Sequence, residues 1–170
     1  MLSKSASNRD YLRGKSTHDH HSRLVPFGAF LWLNVFGMTN KKVVLAFIDS
    51  INARDTDGLG ELMSDDHRFI DALGNEVHGK EKMTAGWRGY FEWFPDYWIE
   101  VNEVFAGETS AGEQTFAMLG FAGGSFKGSS DASWRIPAAW KAIVKDGRVA
   151  LWQVFADTKI QFEIIERGSR

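Results

Sequence analysis

The apolar residues that follow Thr39 recur every three or four positions, which is the spacing of one face of an α-helix. Thr39 or Asn40 can cap this first helix, which we expect to end near residues 52–55. Asp57 can then cap a short second helix. The apolar faces of these two helices consist of Val43, Val44, Phe47, Ile48 and Ile51, and of Leu59, Leu62 and Met63. The folded part of the chain therefore begins near Met38.

A strand and a third helix come next. Residues 67–72 alternate in the manner of a strand, and Leu73-Gly74-Asn75 is typical of a turn. The third helix is predicted from about Lys80 to Phe94, and Pro95 stops it because proline cannot continue a helix. Its apolar face consists of Met83, Trp87, Tyr90, Phe91 and Phe94.

The second half of the chain has the two-residue alternation of a sheet. Four long strands are predicted at 97–106, 115–122, 136–145 and 148–156. The last two form a hairpin around Asp146-Gly147, a dipeptide that favours two-residue turns. Residues 123–133 are rich in Gly and Ser and predict a loop that can cover the mouth of a cavity. Three helices on a strongly curved, mainly antiparallel sheet make an α+β fold.

Residues 1–37 have a different character. The first 23 residues are polar and without pattern, as expected of a disordered tail. The apolar run 24–36 is interrupted by Pro26, Gly28 and Asn34, and it is shorter than the roughly 20 residues that span a bilayer. We therefore predict a disordered or non-native extension at 1–37, one domain at 38–170, and no membrane segment. The His-rich cluster at 18–21 could bind a metal adventitiously, but a disordered tract is the favoured interpretation.

Composition and charge exclude several classes of protein. A chain of 170 residues most often makes one domain. It has no Cys, which rules out disulfides and thiolate metal sites and suits a cytoplasmic protein. Residues 1–37 carry five Lys/Arg and two Asp/Glu, which leaves −5 on the rest of a chain with a net charge of −2. A domain of that charge without a basic stripe is a poor candidate for nucleic-acid binding.

Three segments resemble the nuclear transport factor 2-like superfamily, in particular its ketosteroid isomerase and SnoaL-like polyketide cyclase branches. Residues 63–74 (MSDDHRFIDALG) match without a gap the isomerase pattern of two acidic residues followed by a strand that ends in Asp-x-x-Gly. Residues 52–59 (NARDTDGL) resemble the junction between the first two helices of the superfamily. Asp146-Gly147-Arg148-Val149 with Trp152 and Asp157 resembles the closing hairpin of the cyclases. The resemblance covers about residues 40–162.

The resemblance implies a cone-shaped fold with a hydrophobic pocket. It places Asp71 at the position of the general base of the isomerases, and Asp157 at that of the acid–base Asp of the cyclases. These enzymes need no cofactor, so we expect none here. Homodimers are frequent in the superfamily, and an apolar face of the sheet would become buried in one.

Two departures argue against steroid isomerisation by the familiar mechanism. The isomerases carry a phenol on the first helix, five residues before the position of Asn52, and this chain has Phe47 there. Near the position of their second oxyanion donor it has Pro137-Ala138-Ala139. Removing one oxyanion donor typically lowers the rate by about 10² to 10³.

Each candidate catalytic residue has two interpretations. Asp71 is a general base with a raised pKa in a ring-lined cone, or a turn residue that accepts backbone hydrogen bonds. Asp157 is a pocket carboxylate or a polar strand terminus. His67, four residues before Asp71 and on the same face of the strand, is an acid–base partner or a buried structural histidine. A metal site from His67, Asp71 and His78 is not expected, because the spacing of a tight site is absent.

An aromatic-rich set predicts where a ligand would bind. Aromatic residues make up 14% of the chain, and they can line a cavity for a flat apolar molecule. The predicted pocket residues are Phe47, His78, Trp87, Tyr90, Phe91, Trp98, Trp140 and Trp152. The competing interpretation is plain core, which helical spacing favours for Trp87 and Phe91. The expected partners are thus a hydrophobic small molecule and a second copy of the chain bound through the sheet.

Three functions are consistent with the sequence. The first is a cofactor-independent isomerase, cyclase or hydrolase that acts on a ring or polyketide-like carbonyl compound. The second is a non-catalytic binding protein that uses the same cone. The third is an interaction domain whose cone is filled by its own Trp and Phe side chains.

Overall fold

The computed structural model describes residues 39–168, which form four α-helices and one six-stranded sheet. The elements are α1 (Asn40–Ala53), α2 (Thr56–Leu62), β1 (Met63–Ile70), β2 (Glu76–His78), α3 (Lys80–Trp93), β3 (Trp98–Glu108), β4 (Gln114–Ser125), β5 (Ser133–Lys145), β6 (Arg148–Ala156) and α4 (Lys159–Gly168). Two short 3-10 turns, Phe126–Gly128 and Ser130–Ala132, join β4 to β5. The predicted α+β fold, with three helices before the main sheet, is confirmed.

The strands lie in the order β2-β1-β6-β5-β4-β3. All neighbours are antiparallel except β1 and β6, which run parallel with Ile70 beside Gln153. Because parallel strands end at the same edge, the chain leaves β1 and β6 at the same end of the sheet. We call this end, where β5 also begins, the wide end of the cone.

Helix α1 packs into the concave face of the sheet. The ring of Phe47 lies 5.0 Å from the ring of Trp152, centroid to centroid. The apolar residues that the sequence predicts for α1 are all buried. The facing sheet residues alternate along the strands, and those of β5 are Trp134, Ile136, Ala138, Trp140, Ala142 and Val144. This contact between helix and sheet forms the hydrophobic core.

Side chains at the end of α1 hold the edge strand β3. The side-chain oxygen of Asn52, Oδ1, accepts a hydrogen bond from the backbone N–H of Ile99 (2.8 Å). The side-chain Nδ2 of Asn52 donates to the backbone carbonyl oxygen of Ile99 (3.0 Å). Arg54, which has the positive φ of 57° common at helix ends, donates to the Tyr97 carbonyl oxygen (3.3 Å). Edge-strand groups that would otherwise lack a partner are thereby satisfied, and the edge is joined to the helix.

The predicted loop at 123–133 is wrong in its extent. Residues 123–125 belong to β4, and Ser133 begins β5. A Cβ atom on Gly123 would lie 2.4 Å from the ring of Trp98, and one on Gly120 would lie 1.8 Å from the Glu100 carbonyl oxygen. These glycines therefore make room for β3 inside the sheet.

Two elements are additions to the predicted order. Strand β2 has three residues and pairs with β1, and α4 follows the last strand. Strand β1 also begins earlier than predicted, at Met63, and is irregular between Met63 and Arg68.

The predictions for residues 1–37 lie outside the described residues. Between residues 39 and 168, no helix combines the length and the apolar character needed to cross a membrane.

We expect Asn52→Ala to lower the free energy of unfolding by about 2 kcal/mol, because two hydrogen bonds to β3 are lost at about 1 kcal/mol each. The matched control is Asn102→Ala on β3. Because the Asn102 side chain is exposed, this substitution should change the free energy of unfolding by less than about 0.5 kcal/mol. Urea denaturation of both variants measures the difference. Equal effects would show that the link between α1 and β3 does not stabilise the fold.

Candidate functional site

The carboxylate of Asp71 is engaged in the turn between β1 and β2. One oxygen, Oδ1, accepts hydrogen bonds from the backbone N–H groups of Leu73 and Asn75, both at 2.8 Å. The other, Oδ2, accepts from the Asn75 side-chain amide, also at 2.8 Å. This is the geometry of the turn interpretation. A catalytic role for Asp71 stays a prediction.

His67 is completely buried beneath α1. Its Nδ1 lies 2.7 Å from the Val149 carbonyl oxygen, so Nδ1 carries the proton and donates it, and Nε2 keeps its lone pair. Nε2 has no hydrogen-bond partner among residues 39–168, and the centroid of the nearby Phe47 ring lies 6.1 Å from that of the imidazole. Burial lowers the pKa of His67, against the opposing effects of the Val149 hydrogen bond and Asp66. The imidazole is therefore neutral and forms no hydrogen bond with Asp71.

His78 lies on β2, opposite Arg68, and its side chain has a different partner. It is exposed, and its Nε2 is 2.9 Å from Glu76 Oε2. His67, Asp71 and His78 therefore have three different sets of partners. No group of three His, Asp or Glu side chains suitable for a metal ion occurs in the part of the chain that the structure describes.

The predicted pocket aromatics lie in different parts of the fold. Phe47, Trp140 and Trp152 are at most 1% exposed, so no water-sized space borders them, and Trp87 is also buried. Tyr90 and Phe91 are half-buried on α3. Trp98 lies on the opposite face of the sheet, against Gly123. The interior around Phe47, Trp140 and Trp152 is thus filled by side chains, as the interaction-domain hypothesis expects.

A cluster of rings occupies the wide end. The ring cluster consists of Tyr90, Phe94, Tyr97, Phe126 and Trp134. Centroids of neighbouring rings lie 5.0 Å apart for Tyr90 and Tyr97 and 6.0 Å apart for Tyr97 and Trp134. Burial raises the pKa of both tyrosines, so their hydroxyls keep their protons at neutral pH.

Beside the ring cluster, an open groove of about 520 Å³ lies between β5, the end of β6 and α4. We refer to it as the groove; it is lined by Ile136, Pro137, Asp157, Lys159, Ile160 and Glu163. Among the predicted site residues, Asp157 alone borders it. The exposed carboxylate of Asp157 accepts a hydrogen bond from the backbone N–H of Lys159 at 3.0 Å and so caps α4.

The other groove residues were not predicted from the sequence, because the groove exists only where α4 packs beside β5, and α4 was not predicted. A signal for that helix exists: Asp157 stands before it, Ile160 and Ile164 are one turn apart, and Arg167 lies in its last turn.

Several buried polar atoms lack partners. The indole N–H groups of Trp87, Trp134, Trp140 and Trp152 have no acceptor among the described residues. A buried donor without an acceptor costs about 1–3 kcal/mol. Trp134 belongs to the ring cluster, and Trp87 lies beside it, with ring centroids 6.0 Å from Tyr90 and 6.5 Å from Tyr97.

We expect the protein to lose stability as the pH falls from 7.5 to 5.5. Burial lowers the pKa of His67 in the folded state, whereas the unfolded chain binds a proton below about pH 6.5, so folding weakens as the pH falls through this range. Carboxylates with lowered pKa values, such as Asp96, lose their contribution only at lower pH. Urea denaturation at each pH measures the effect.

The variant His67→Asn tests the origin of this loss. An Asn side chain can still donate to the Val149 carbonyl but does not titrate, so its stability should be nearly constant over this range. His78→Gln, at the exposed histidine, should behave like the unmodified protein. A pH dependence unchanged by His67→Asn would contradict the assignment.

Comparison with solved structures shows the same fold in proteins of low sequence identity. A provisionally named SnoaL-like polyketide cyclase from Jannaschia sp. CCS1 is 24% identical, with a TM-score of 0.62 over 74% of this chain and 90% of that protein. A provisionally named SnoaL-like polyketide cyclase from Shewanella denitrificans is 14% identical, with a TM-score of 0.62 over 75% and 97%. An LEH-like epoxide hydrolase from M. tuberculosis is 18% identical, with a TM-score of 0.56 over 76% and 90%.

Sequence comparison identifies the family. No curated protein matches the chain. The model of the SnoaL-like domain family matches residues 44–152, which run from α1 to β6 and include the core of the cone and both ends of β1. This match spans more than half of the chain, and the protein therefore belongs to the SnoaL-like domain family.

Proposed function

We propose that this protein binds a flat hydrophobic small molecule in the groove, and that Asp157 is the acid–base group of a cofactor-independent reaction on a carbonyl compound. The observation that carries the proposal is the groove itself. Its volume lies within the range of about 300–1,000 Å³ that is typical of ligand sites. A cytoplasmic location and the absence of nucleic-acid partners are part of the same proposal.

The lining of the groove suits such a ligand. Ile136, Pro137 and Ile160 offer apolar surface, and the carboxylates of Asp157 and Glu163 stand at its edge. Lys159 lies 3.8 Å from Glu163, so its charge is partly compensated. Apolar surface with a few polar groups is the usual composition of small-molecule sites, because the polar groups orient the ligand.

Asp157 is better placed than Asp71 to exchange a proton with a ligand. Three hydrogen bonds occupy the carboxylate of Asp71, whereas Asp157 accepts one through Oδ1. The free oxygen of Asp157 can remove a proton from the carbon beside a carbonyl group. Asp71 is the second candidate for the acid–base group, because of its position in the family pattern. His67 has an available Nε2, but it is buried behind α1.

Relatives with named activities support acid–base chemistry in this fold. The names of the compared structures include polyketide cyclases and an epoxide hydrolase. Cyclisation and epoxide hydrolysis are reactions that a proton-transferring carboxylate can catalyse. We carry over to this chain the reaction class alone.

A second candidate function is that of a dimeric interaction domain. On the outer face of the sheet, Phe105, Leu119 and Phe155 are about half exposed. They lie on three strands, with Arg135 stacked 3.5 Å above the Phe121 ring on the same face. A second copy bound there would bury these side chains. In that case Leu119→Asp should convert a dimer to a monomer in light scattering, while Leu73→Asp, in an exposed turn, should not.

We expect polycyclic ketones and phenols to raise the melting temperature of the protein in a thermal-shift screen, since a ligand at 100 times its Kd adds about 2.7 kcal/mol. Ile160→Asp should weaken binding at least about tenfold, because it places a charge in the apolar lining of the groove. Phe162→Asp is the matched control, because Phe162 is similarly exposed on the same helix (48% against 41%) but lies outside the groove. Equal weakening by the two variants would contradict binding in the groove.

A ligand found in this way allows the acid–base role to be tested. Asp157→Asn removes the charge and keeps a side chain that caps α4, so turnover should fall at least about a hundredfold while binding persists. Asp71→Asn should have a smaller effect on turnover. A larger loss for Asp71→Asn than for Asp157→Asn would return the role of base to Asp71, and turnover unaffected by both would leave a binding protein.

A further inference from the structure

The outer face of the sheet carries a continuous apolar patch. Phe105 pairs with Ala117, which is two residues from Leu119 on β4. Leu119 pairs with Ala139, and Ala139 pairs with Phe155. Residues that are paired, or two positions apart on one strand, share a face of the sheet, so these five residues are neighbours. We call them the outer patch. Contiguous exposed apolar surface of this kind marks a place where another apolar surface binds.

The same chain contains an apolar segment outside the described residues. Ten of the thirteen residues 24–36 are apolar, including Leu31, Trp32 and Leu33, and two residues separate this segment from Thr39. Apolar side chains in such a density favour a surface on which they can leave water. The segment is shorter than the roughly 20 residues that span a bilayer. A protein surface is therefore the place where it can be buried.

Helix α1 determines where this segment joins the fold. At the end of α1, Asn52 binds Ile99, which is level with position 136 of β5. Five residues earlier, Phe47 packs against Trp152, which is level with position 142, six residues or about 20 Å farther from the wide end. Thr39 precedes Phe47 by another eight residues. The segment therefore joins the fold at the opposite end of the cone, which we call the narrow end.

The segment is long enough to reach the outer patch from there. An extended chain covers about 3.3 Å per residue, so residues 24–38 reach about 50 Å from Thr39. Strand β5, with 13 residues, is about 43 Å long. Phe105 and Ala117 are the patch residues nearest the narrow end. A chain that passes around that end meets them first and continues toward Leu119.

Charge favours the chain's own segment over a second copy. Residues 1–37 carry five Lys/Arg and two Asp/Glu, a charge of +3, so a total of −2 leaves −5 on the rest of the chain. Opposite charges attract the extension to the domain, whereas the domains of two copies carry the same charge and repel. Covalent attachment also gives the segment a high effective concentration at its own sheet.

We propose that residues 24–36 bind to the outer patch of their own chain and cover it. The segment then occupies the surface on which a second copy would bind, so its attachment controls whether the protein associates with itself. This role goes beyond the proposed function and does not depend on the groove or on its ligand.

The test measures how fast a thiol in the patch reacts with N-ethylmaleimide in the full-length protein. The chain has no Cys, so each substitution introduces the only thiol. Leu119→Cys places it in the patch, and Leu73→Cys is the control in the turn between β1 and β2. Without a cover the two sites are comparably accessible, since Leu119 is 43% and Leu73 is 64% exposed.

Both thiol variants are also made with Leu31→Asp and Leu33→Asp in the segment. Mass spectrometry follows the reaction at the lowest protein concentration that the assay allows. Thermal melting confirms that each variant is folded, and light scattering gives its oligomeric state. Ala117→Cys, on the same face as Leu119, replaces Leu119→Cys if that variant does not fold.

In a monomeric protein, Leu119→Cys should react at least about tenfold more slowly than Leu73→Cys, because a docked segment must open before the reagent can enter. The two Asp substitutions place charges in the apolar contact, so they should speed the reaction of Leu119→Cys at least about fivefold. The reaction of Leu73→Cys should not change.

Three results would overturn the proposal. Equally fast reaction of Leu119→Cys and Leu73→Cys would show that the patch is open. Slow reaction that the Asp substitutions leave unchanged would show that something other than the segment covers it, and a dimer in light scattering would identify a second copy. Faster reaction together with conversion of a dimer to a monomer would show that the segment binds to a partner's sheet instead of its own.

Discussion

The contact between Phe47 and Trp152 determines which part of the interior is filled by the protein's own side chains. It holds α1 against the concave face of the sheet. The two ring centroids lie 5.0 Å apart, and both side chains are completely buried. Trp140 and His67 pack in the same interior, and neither borders a water-sized space. The narrow end of the cone is therefore occupied by the protein itself. The proposed ligand site is therefore the groove at the wide end, between β5, the end of β6 and α4.

The parallel pairing of β1 and β6 places the candidate carboxylates at this wide end. Ile70 lies beside Gln153, so Asp71 and Asp157 leave neighbouring strands about 10 Å apart along the strand direction. The two residues nevertheless have different environments. Asp71 holds a turn together, whereas Asp157 caps a helix and faces the groove. The same side chain thus has a structural role in one position and an accessible one in the other.

Sequence patterns predicted most of the fold because its main elements are amphipathic. Helices α1 and α3 and the hairpin of β5 and β6 carry long periodic runs, and their predicted bounds agree with the structure within about three residues. Strand β2 is too short for alternation to be recognised. Gly123 and Gly124 favoured a loop, but Gly123 lies within β4, where the Trp98 ring leaves no room for a larger side chain.

The site was harder to predict than the fold. A periodic pattern shows which face of an element is apolar, and it does not distinguish a filled interior from a ligand-lined one. Phe47, Trp140 and Trp152 were therefore predicted to line a pocket, and the structure places them in the core. The groove depends on α4, a helix that was not predicted from the sequence. Asp157 entered the candidate site through family resemblance, and Asp71 entered it in the same way.

The most direct measurement is a crystallographic screen in which crystals of the protein are soaked with small aromatic ketones and phenols. The account predicts that they bind between Ile136, Ile160 and Asp157. Ligands found repeatedly on the outer face of the sheet, with the groove empty, would contradict a binding site at the wide end of the cone.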